Sequence, residues 1–410
     1  VGACWRDPVL CELFGARAFR CAARGEEPQR ARMVRLQTIR VWALPYHFFE
    51  ARDDAERFTM LANVTSDSVN RDSLRLPPPM PILEQVIAVA TCSLVAVPLV
   101  LPLALSALCI AGCWTALAAL LVLVGLSMLH RISHALAYRR NRLGLVWAKY
   151  FGFEIIIDRD QSLQAKVAAT ATALDASQPE GGTTNPGGVG VVNLACPHGV
   201  VNYGATIYTF FSRWLTGADQ LTAVADAVTR APGLRHFAAP LWPVSASSSS
   251  LGRLLARGAI VGIVPDGIGG IFTAASGAVP WGKDALALGR KRGLVRLALR
   301  HGATCMPGYF VGTLQLYTIS HDRFGILAAL SRRLRLSLFL FHGRFGLPIP
   351  RRGPLTAVVT FVPAPSGPLA EPTAEQIEAH HARVYGALAA AYDAAKPAMG
   401  LPAAATLTIT

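Results

Sequence analysis

The sequence predicts an α/β domain, a mostly parallel sheet flanked by helices, preceded by a transmembrane or re-entrant helical hairpin. Three observations point there. After Phe153, short apolar β-branched runs alternate with helical stretches, an order that builds covered, parallel sheets. From Val86 to Leu129, 44 consecutive residues carry no Asp, Glu, Lys or Arg, and one crossing needs only about 20 apolar residues. The chain is also basic and apolar at once. It has 39 Lys+Arg against 25 Asp+Glu and a net charge of +14, yet only 16% of its residues are charged and its mean hydropathy is +0.38. Basicity alone suits nucleic acid, anionic lipid or phosphorylated small molecules. Combined with this much apolar surface it favours a membrane and argues against nucleic acid.

Taken in order, residues 1–80 read as a basic, irregular segment closing in Leu76-Pro-Pro-Pro-Met-Pro81, a proline run of extended character. Residues 81–130 form the hairpin. Gly112, in Ala111-Gly-Cys-Trp114, is a natural turn, and Pro98 and Pro102 would kink the first limb, which membrane helices tolerate. Arg131, Arg139, Arg140 and Arg142 follow at once, putting both flanks on the cytosolic side by the positive-inside rule. Leu143, Val146, Trp147 and Tyr150 recur at helical spacing; this fits a basic amphipathic helix in the membrane interface or an ordinary surface helix.

The α/β domain occupies 131–410. Val189–Ala195 is a buried strand after the glycine-rich loop 178–188. Then come a helix at Ser248–Arg257, a strand at Ala259–Val264, a helix at Leu288–His301 and strands at Ala303–Val311 and Thr356–Val362. A helix from Thr373 to about Lys396 ends the series. Eight cysteines are scattered with no CxxC pair, so neither a zinc site nor a disulfide framework is indicated, and a reducing, cytosol-facing environment is expected. Only one region is long enough to span, which argues against a multi-span transporter.

The candidate chemistry begins at His198 in Asn193-Leu-Ala-Cys-Pro-His-Gly-Val-Val201. Pro197 stops strand pairing and Gly199 leaves room for another molecule, at the strand end where open α/β sheets bind ligands. An imidazole there can accept a proton near neutral pH. Cys196 is either a nucleophile or a small buried hydrophobe. Val264-Pro-Asp-Gly-Ile-Gly-Gly-Ile-Phe272 ends a strand in a glycine-rich turn whose backbone amides (Gly267, Gly269, Gly270) suit an oxyanion or phosphate; Asp266 reads as a turn former. Arg292, Arg296 and Arg300 form one stripe of a helix, with Leu294, Leu297, Ala298 and His301 opposite. The stripe suits phosphates or is a solvated face. The P-loop, GxGxxG, GxSxG and HExxH patterns are absent. So is the glycerolipid acyltransferase spacing of His, four residues, then Asp, because Tyr203 stands at that place.

Taken together, these segments resemble the type 2 diacylglycerol acyltransferase family, which includes monoacylglycerol and wax-alcohol acyltransferases. Cys196-Pro-His-Gly199 looks like its signature tetrapeptide and Lys149-Tyr-Phe151 like its tyrosine-phenylalanine motif. Arg292 to Gly302, with Pro307 and Tyr309, resembles its RxGF…A…G…VP block. Gly343-Arg-Phe-Gly-Leu-Pro-Ile-Pro350 and Pro372–Glu378 are similar to its C-terminal end. Three departures stand out: Gly270 where the GGxxE block has glutamate, Leu294 for phenylalanine, and Val311-Gly-Thr313 for Phe-Gly-Glu.

The resemblance implies a glycerolipid-acyltransferase-like fold that moves a long-chain acyl group from acyl-CoA to the hydroxyl of a neutral lipid. Diacylglycerol is the expected acceptor, with monoacylglycerol or a wax alcohol, or a catalytically drifted lipid-binding protein, as alternatives. His198 would be the general base, with Cys196, Pro197 and Gly199 its motif neighbours. Arg292, Arg296 and Arg300, with Gly267, Gly269 and Gly270, would hold acyl-CoA. No metal or prosthetic group is expected; acyl-CoA is a co-substrate, and membrane lipid is the surroundings. The implied location is the endoplasmic reticulum membrane or a lipid droplet, with the catalytic domain facing the cytosol.

Overall fold

The computed structural model describes residues 36–51, 54–69, 71–73, 75–129, 143–158, 188–216, 218–267, 270–271, 283–286, 291–320, 322, 324–334, 339–365 and 367–409. Arg131, Arg139, Arg140, Arg142, loop residues 178–187 and Gly269 lie outside them. The main strands are β1 (Leu36–Ile39), β2 (Thr65–Asp67), β3 (Glu154–Asp158), β4 (Val191–Cys196), β5 (Leu221–Val224), β6 (Pro243–Ser245), β7 (Ile260–Ile263), β8 (Thr304–Val311) and β9 (Thr356–Val359). The helices used below are α1 (Asp54–Asn63), α2 (Ile82–Cys92), α3 (Val97–Ile110), α4 (Trp114–Leu129), α5 (Leu143–Phe151), α6 (Tyr203–Thr216), α7 (Ser248–Leu255), α8 (Gly293–His301), α9 (Ile326–Leu334) and α10 (Ala374–Met399).

The nine strands form one sheet in the order β2-β1-β3-β9-β8-β4-β7-β5-β6. β4 is buried along its whole length and runs parallel to both neighbours, β8 and β7. Its side chains alternate between two cores. Val191 and Ala195 face one, with Trp147, Tyr203 and Phe211 of α5 and α6. Val192, Leu194 and Cys196 face the other, with Leu251 of α7, Ala298 of α8 and Leu388 and Tyr392 of α10. This two-residue alternation under helices on both faces is the α/β architecture expected.

Five of the sheet's eight strand pairings are parallel, as expected, and the sheet is mixed, since β1 is antiparallel to both β2 and β3, and β9 is antiparallel to β8. The described part of residues 1–80, however, is not irregular. It supplies β1, α1 and β2, with Ile39 registered on Ile155. What holds it is the Glu154 carboxylate, 2% exposed, which accepts Arg71 at 2.8 Å, Arg75 at 3.2 Å and the Trp42 indole at 3.1 Å. A buried carboxylate is tolerated only when matched in this way. A strand of four residues leaves too short a pattern to be legible in sequence.

The uncharged segment is a bent hairpin. Among the described residues no single helix is long and apolar enough to cross a membrane. Ile82–Ala96 and Val100–Ile110 form a pair bent by 78°. The chain then reverses at Ala111–Cys113, where Gly112 takes φ +65°, a conformation that suits a residue without Cβ. α2 lies against the domain: Ala88 and Cys92 are buried, and the Trp147 indole donates to Thr91 at 2.8 Å. α3 and α4 instead expose Val100, Leu103, Ile110, Trp114, Leu121, Val122, Leu123 and Leu126. At 1.5 Å per residue they are roughly 21 and 24 Å long, short of the ~30 Å hydrocarbon core.

α5 is not interfacial. Gly144 to Ala148, Tyr150 and Phe151 are all buried, and Trp147 stacks on Phe237 at 5.5 Å. The apolar spacing that suggested a membrane face marks a core helix packed between α2 and α6.

Candidate functional site

His198 sits where β4 ends. The Cys196–Pro197 bond is cis and Gly199 takes φ +54°, so the chain leaves the sheet in a tight turn before α6 begins at Tyr203. Asn202 braces this turn from both sides. Its Oδ1 accepts the Ala205 N–H at 2.8 Å, the geometry of a helix N-cap. Its Nδ2 donates to the Pro197 carbonyl at 2.9 Å. The His198 ring is half-buried, and its Nδ1–H donates to the Gly199 carbonyl at 3.0 Å. That tautomer leaves Nε2 with its lone pair.

Asp266 meets this turn from β7. Because β4 and β7 are parallel neighbours, their carboxyl ends lie side by side, and the Asp266 Oδ2 accepts the His198 backbone N–H at 2.9 Å. Asp266 is 1% exposed. Burial raises its carboxyl above the usual range, while His198, the backbone N–H groups and Lys291 pull the other way. Lys291 Nζ donates to the carbonyls of Pro265 and Asp266, which fixes the turn. On the other side, Thr313 stands against Gly199, where a Cβ would lie 3.1 Å from Thr313 Cγ2. Among the described residues the buried Thr313 hydroxyl has no hydrogen-bond partner.

Cys196 is fully buried in the core shared with α10. Burial pushes its thiol well above the ordinary value, so it stays protonated, the state of a small hydrophobe and not of a nucleophile. Gly267 (φ +50°) lies beside Lys291, and Gly270 donates its N–H to the Asp266 carbonyl at 3.0 Å.

The three arginines do not converge on the turn. Arg292 forms a bidentate pair with Glu378 of α10, 2.6 Å on each arm, and meets His381 Nε2 at 2.9 Å. Arg300 donates to the Ala370 carbonyl at 3.2 Å. Arg296 is exposed. The inward face of α8 is Val295, Ala298 and Leu299, about a third of a turn from the expected stripe. In this structure the Arg292 guanidinium docks α8 onto α10.

Sequence reasoning missed Asn202, Lys291 and Thr313 as parts of this site and undervalued Asp266. Asn202 had a signal, an Asn directly before a run of apolar and aromatic residues. For Asp266 the signal is tertiary, since 68 residues separate it from His198 and only the strand order brings them together. The distant blocks also gather: Tyr150 donates to the Pro350 carbonyl at 3.0 Å, and Phe151 stacks on Tyr203 at 5.2 Å.

Part of the chain is similar to known proteins. The profile of the family described as Diacylglycerol acyltransferase matches residues 192–410, from β4 through the His198 turn to α10. Diacylglycerol O-acyltransferase 2 of Bos taurus is 28% identical over 230 residues, covering 52% of this chain and 63% of that protein. The Homo sapiens protein of the same name is 28% identical over 230 residues, covering 52% and 58%. 2-Acylglycerol O-acyltransferase 1 of Bos taurus is 31% identical over 229 residues, covering 52% and 67%. The chain thus spans about three fifths of the length of the diacylglycerol relatives it matches. With the profile covering more than half of the chain and the His198 turn inside it, the chain belongs to the diacylglycerol acyltransferase family.

Proposed function

We propose that this protein transfers a long-chain acyl group from acyl-CoA to the free hydroxyl of a neutral lipid, with diacylglycerol the acceptor and triacylglycerol the product. The observation that carries the reading is the His198 turn. It offers a half-buried imidazole whose Nδ1 is held by the Gly199 carbonyl, at the carboxyl end of the central strand, within the region that matches the family. His198 Nε2 takes the acceptor's hydroxyl proton as that oxygen attacks the thioester carbonyl. A C–O bond forms, and backbone amides at the strand end hold the oxyanion. Collapse breaks the C–S bond, and the thiolate takes the proton back from Nε2 and leaves as free coenzyme A. General-base assistance of this kind contributes about 10²–10⁴-fold.

The exposed apolar hairpin α3–α4 suits a bilayer, and its short limbs favour a re-entrant dip that brings the lipid acceptor to a domain on the cytosolic side of the endoplasmic reticulum. Arg296, exposed on α8, is a candidate contact for the phosphates of coenzyme A. A second acceptor, monoacylglycerol, is favoured by the 31% identity to a 2-acylglycerol acyltransferase. The test uses microsomes from cells lacking neutral-lipid synthesis, supplied with labelled acyl-CoA and either acceptor. The wild-type chain labels triacylglycerol or diacylglycerol, and His198→Ala abolishes it. Equal labelling by the two proteins would overturn the reading.

A further inference from the structure

The Asp266 carboxylate is unusual in being both buried and half-matched. Oδ2 holds the His198 N–H, while Oδ1 is buried with no hydrogen-bond partner among the described residues. Leaving a charged oxygen in that condition is costly, and the nearby charges that offset it are cationic: the His198 ring when protonated, and Lys291. The turn is also shaped around this carboxylate. A Cβ at Gly270 would lie 2.0 Å from Asp266 Oδ2 and 2.4 Å from its Cγ, far inside contact distance. A side chain at position 270 and the carboxylate at 266 therefore compete for one volume. Position 270 is where the sequence lacks the glutamate of the GGxxE block, and position 266 is that block's first glycine.

We infer that Asp266 is the positioning carboxylate of His198, taking over from the opposite end of the turn the place of the acid missing at position 270. The inference rests on His198 being the base. Asp266 fixes the His198 backbone through the N–H bond, and its carboxylate is close enough to feel the charge of the His198 ring. When Nε2 takes the acceptor's proton, the imidazolium forms opposite a fixed negative charge, as an aspartate stabilises the imidazolium of a serine protease triad. Asp266 itself gains and loses no proton in the cycle. The groups facing it are His198 and Cys196 around the end of β4, Lys291 before α8 and Tyr385 on α10. Burial keeps Cys196 and Tyr385 protonated, so neither competes with His198 as a charged partner of the carboxylate.

The experiment compares His198→Ala, Asp266→Asn, Asp266→Gly and the exchange Asp266→Gly/Gly270→Glu in microsomes, with thermal melts of each. Asp266→Asn keeps the shape and an oxygen for the His198 N–H. It is expected to lower kcat about 10²-fold with the acyl-CoA KM changed less than threefold. It should also move the acidic limb of the pH–kcat profile to lower pH by about one unit, because loss of the negative charge disfavours the imidazolium. The exchange variant should recover at least tenfold over Asp266→Gly. An Asp266→Asn protein that melts and turns over like wild type with an unmoved profile, while His198→Ala is inactive, would overturn the inference and leave the base assignment standing. An exchange variant as inactive as Asp266→Gly would overturn the idea that the acid has changed places. Retained activity in His198→Ala would remove the base assignment first.

Discussion

Replacing Asn202 by alanine should damage stability and turnover together, and the structure separates the two. The side chain makes two bonds: Oδ1 caps α6 at Ala205, and Nδ2 holds the carbonyl of Pro197 next to His198. Loss of a cap costs roughly 0.5–2 kcal/mol, and orphaning a buried carbonyl costs about 1–3 kcal/mol. Because Asn202 is 6% exposed, water cannot easily replace either partner, so a total of roughly 2–4 kcal/mol is expected. With unfolding entropy near 2.1 cal/mol/K per residue, that lowers Tm by about 2–5 °C. The His198 turn would also drift, and a misplacement of about 1 Å costs on the order of 10²-fold in rate. Asn202→Asp divides the effects, since its carboxylate still caps the helix but cannot donate to Pro197. It should melt closer to wild type than Asn202→Ala and be nearly as slow. The assays are a thermal melt of the solubilised protein and initial rates with labelled acyl-CoA. An aspartate variant with wild-type turnover would show that the Pro197 bond does not position the histidine, and an alanine variant with unchanged Tm would refute the cap.

Two further outcomes are expected. Arg292→Ala should leave the apparent acyl-CoA KM within about twofold of wild type, because its guanidinium is committed to Glu378 and His381; a KM raised tenfold or more at unchanged kcat would return it to the phosphates. Cys113, exposed at the hairpin tip, should resist a membrane-impermeant maleimide from either face of intact or lumen-opened microsomes, since limbs of about 21 and 24 Å end inside a ~30 Å core. Labelling only after the lumen is opened would mean that the hairpin crosses.

Much of the local structure was legible because it is written at short range. The strand at Val191–Cys196, the helix beginning at Thr373, whose capping box with Gln376 is formed, and the reversal at Gly112 each carry their pattern within a few residues. α6 was not legible. Its Tyr, Thr, Ile, Phe and Trp residues have modest helix propensity, and it is helical because Asn202 caps it and eleven of its fourteen residues are buried. α5 had the right period but the wrong surroundings, because spacing identifies an apolar face without saying whether lipid or protein covers it.

By itself the sequence determined which residue types were available, the α/β succession, the apolar hairpin and a histidine after the central strand. Only the tertiary structure decided which of them meet. Setting β7 beside β4 carries Asp266 to the backbone of His198, and docking α10 on α8 takes Arg292 away for Glu378. Contacts of this kind depend on strand order and helix packing across tens of residues, and no local pattern encodes that geometry.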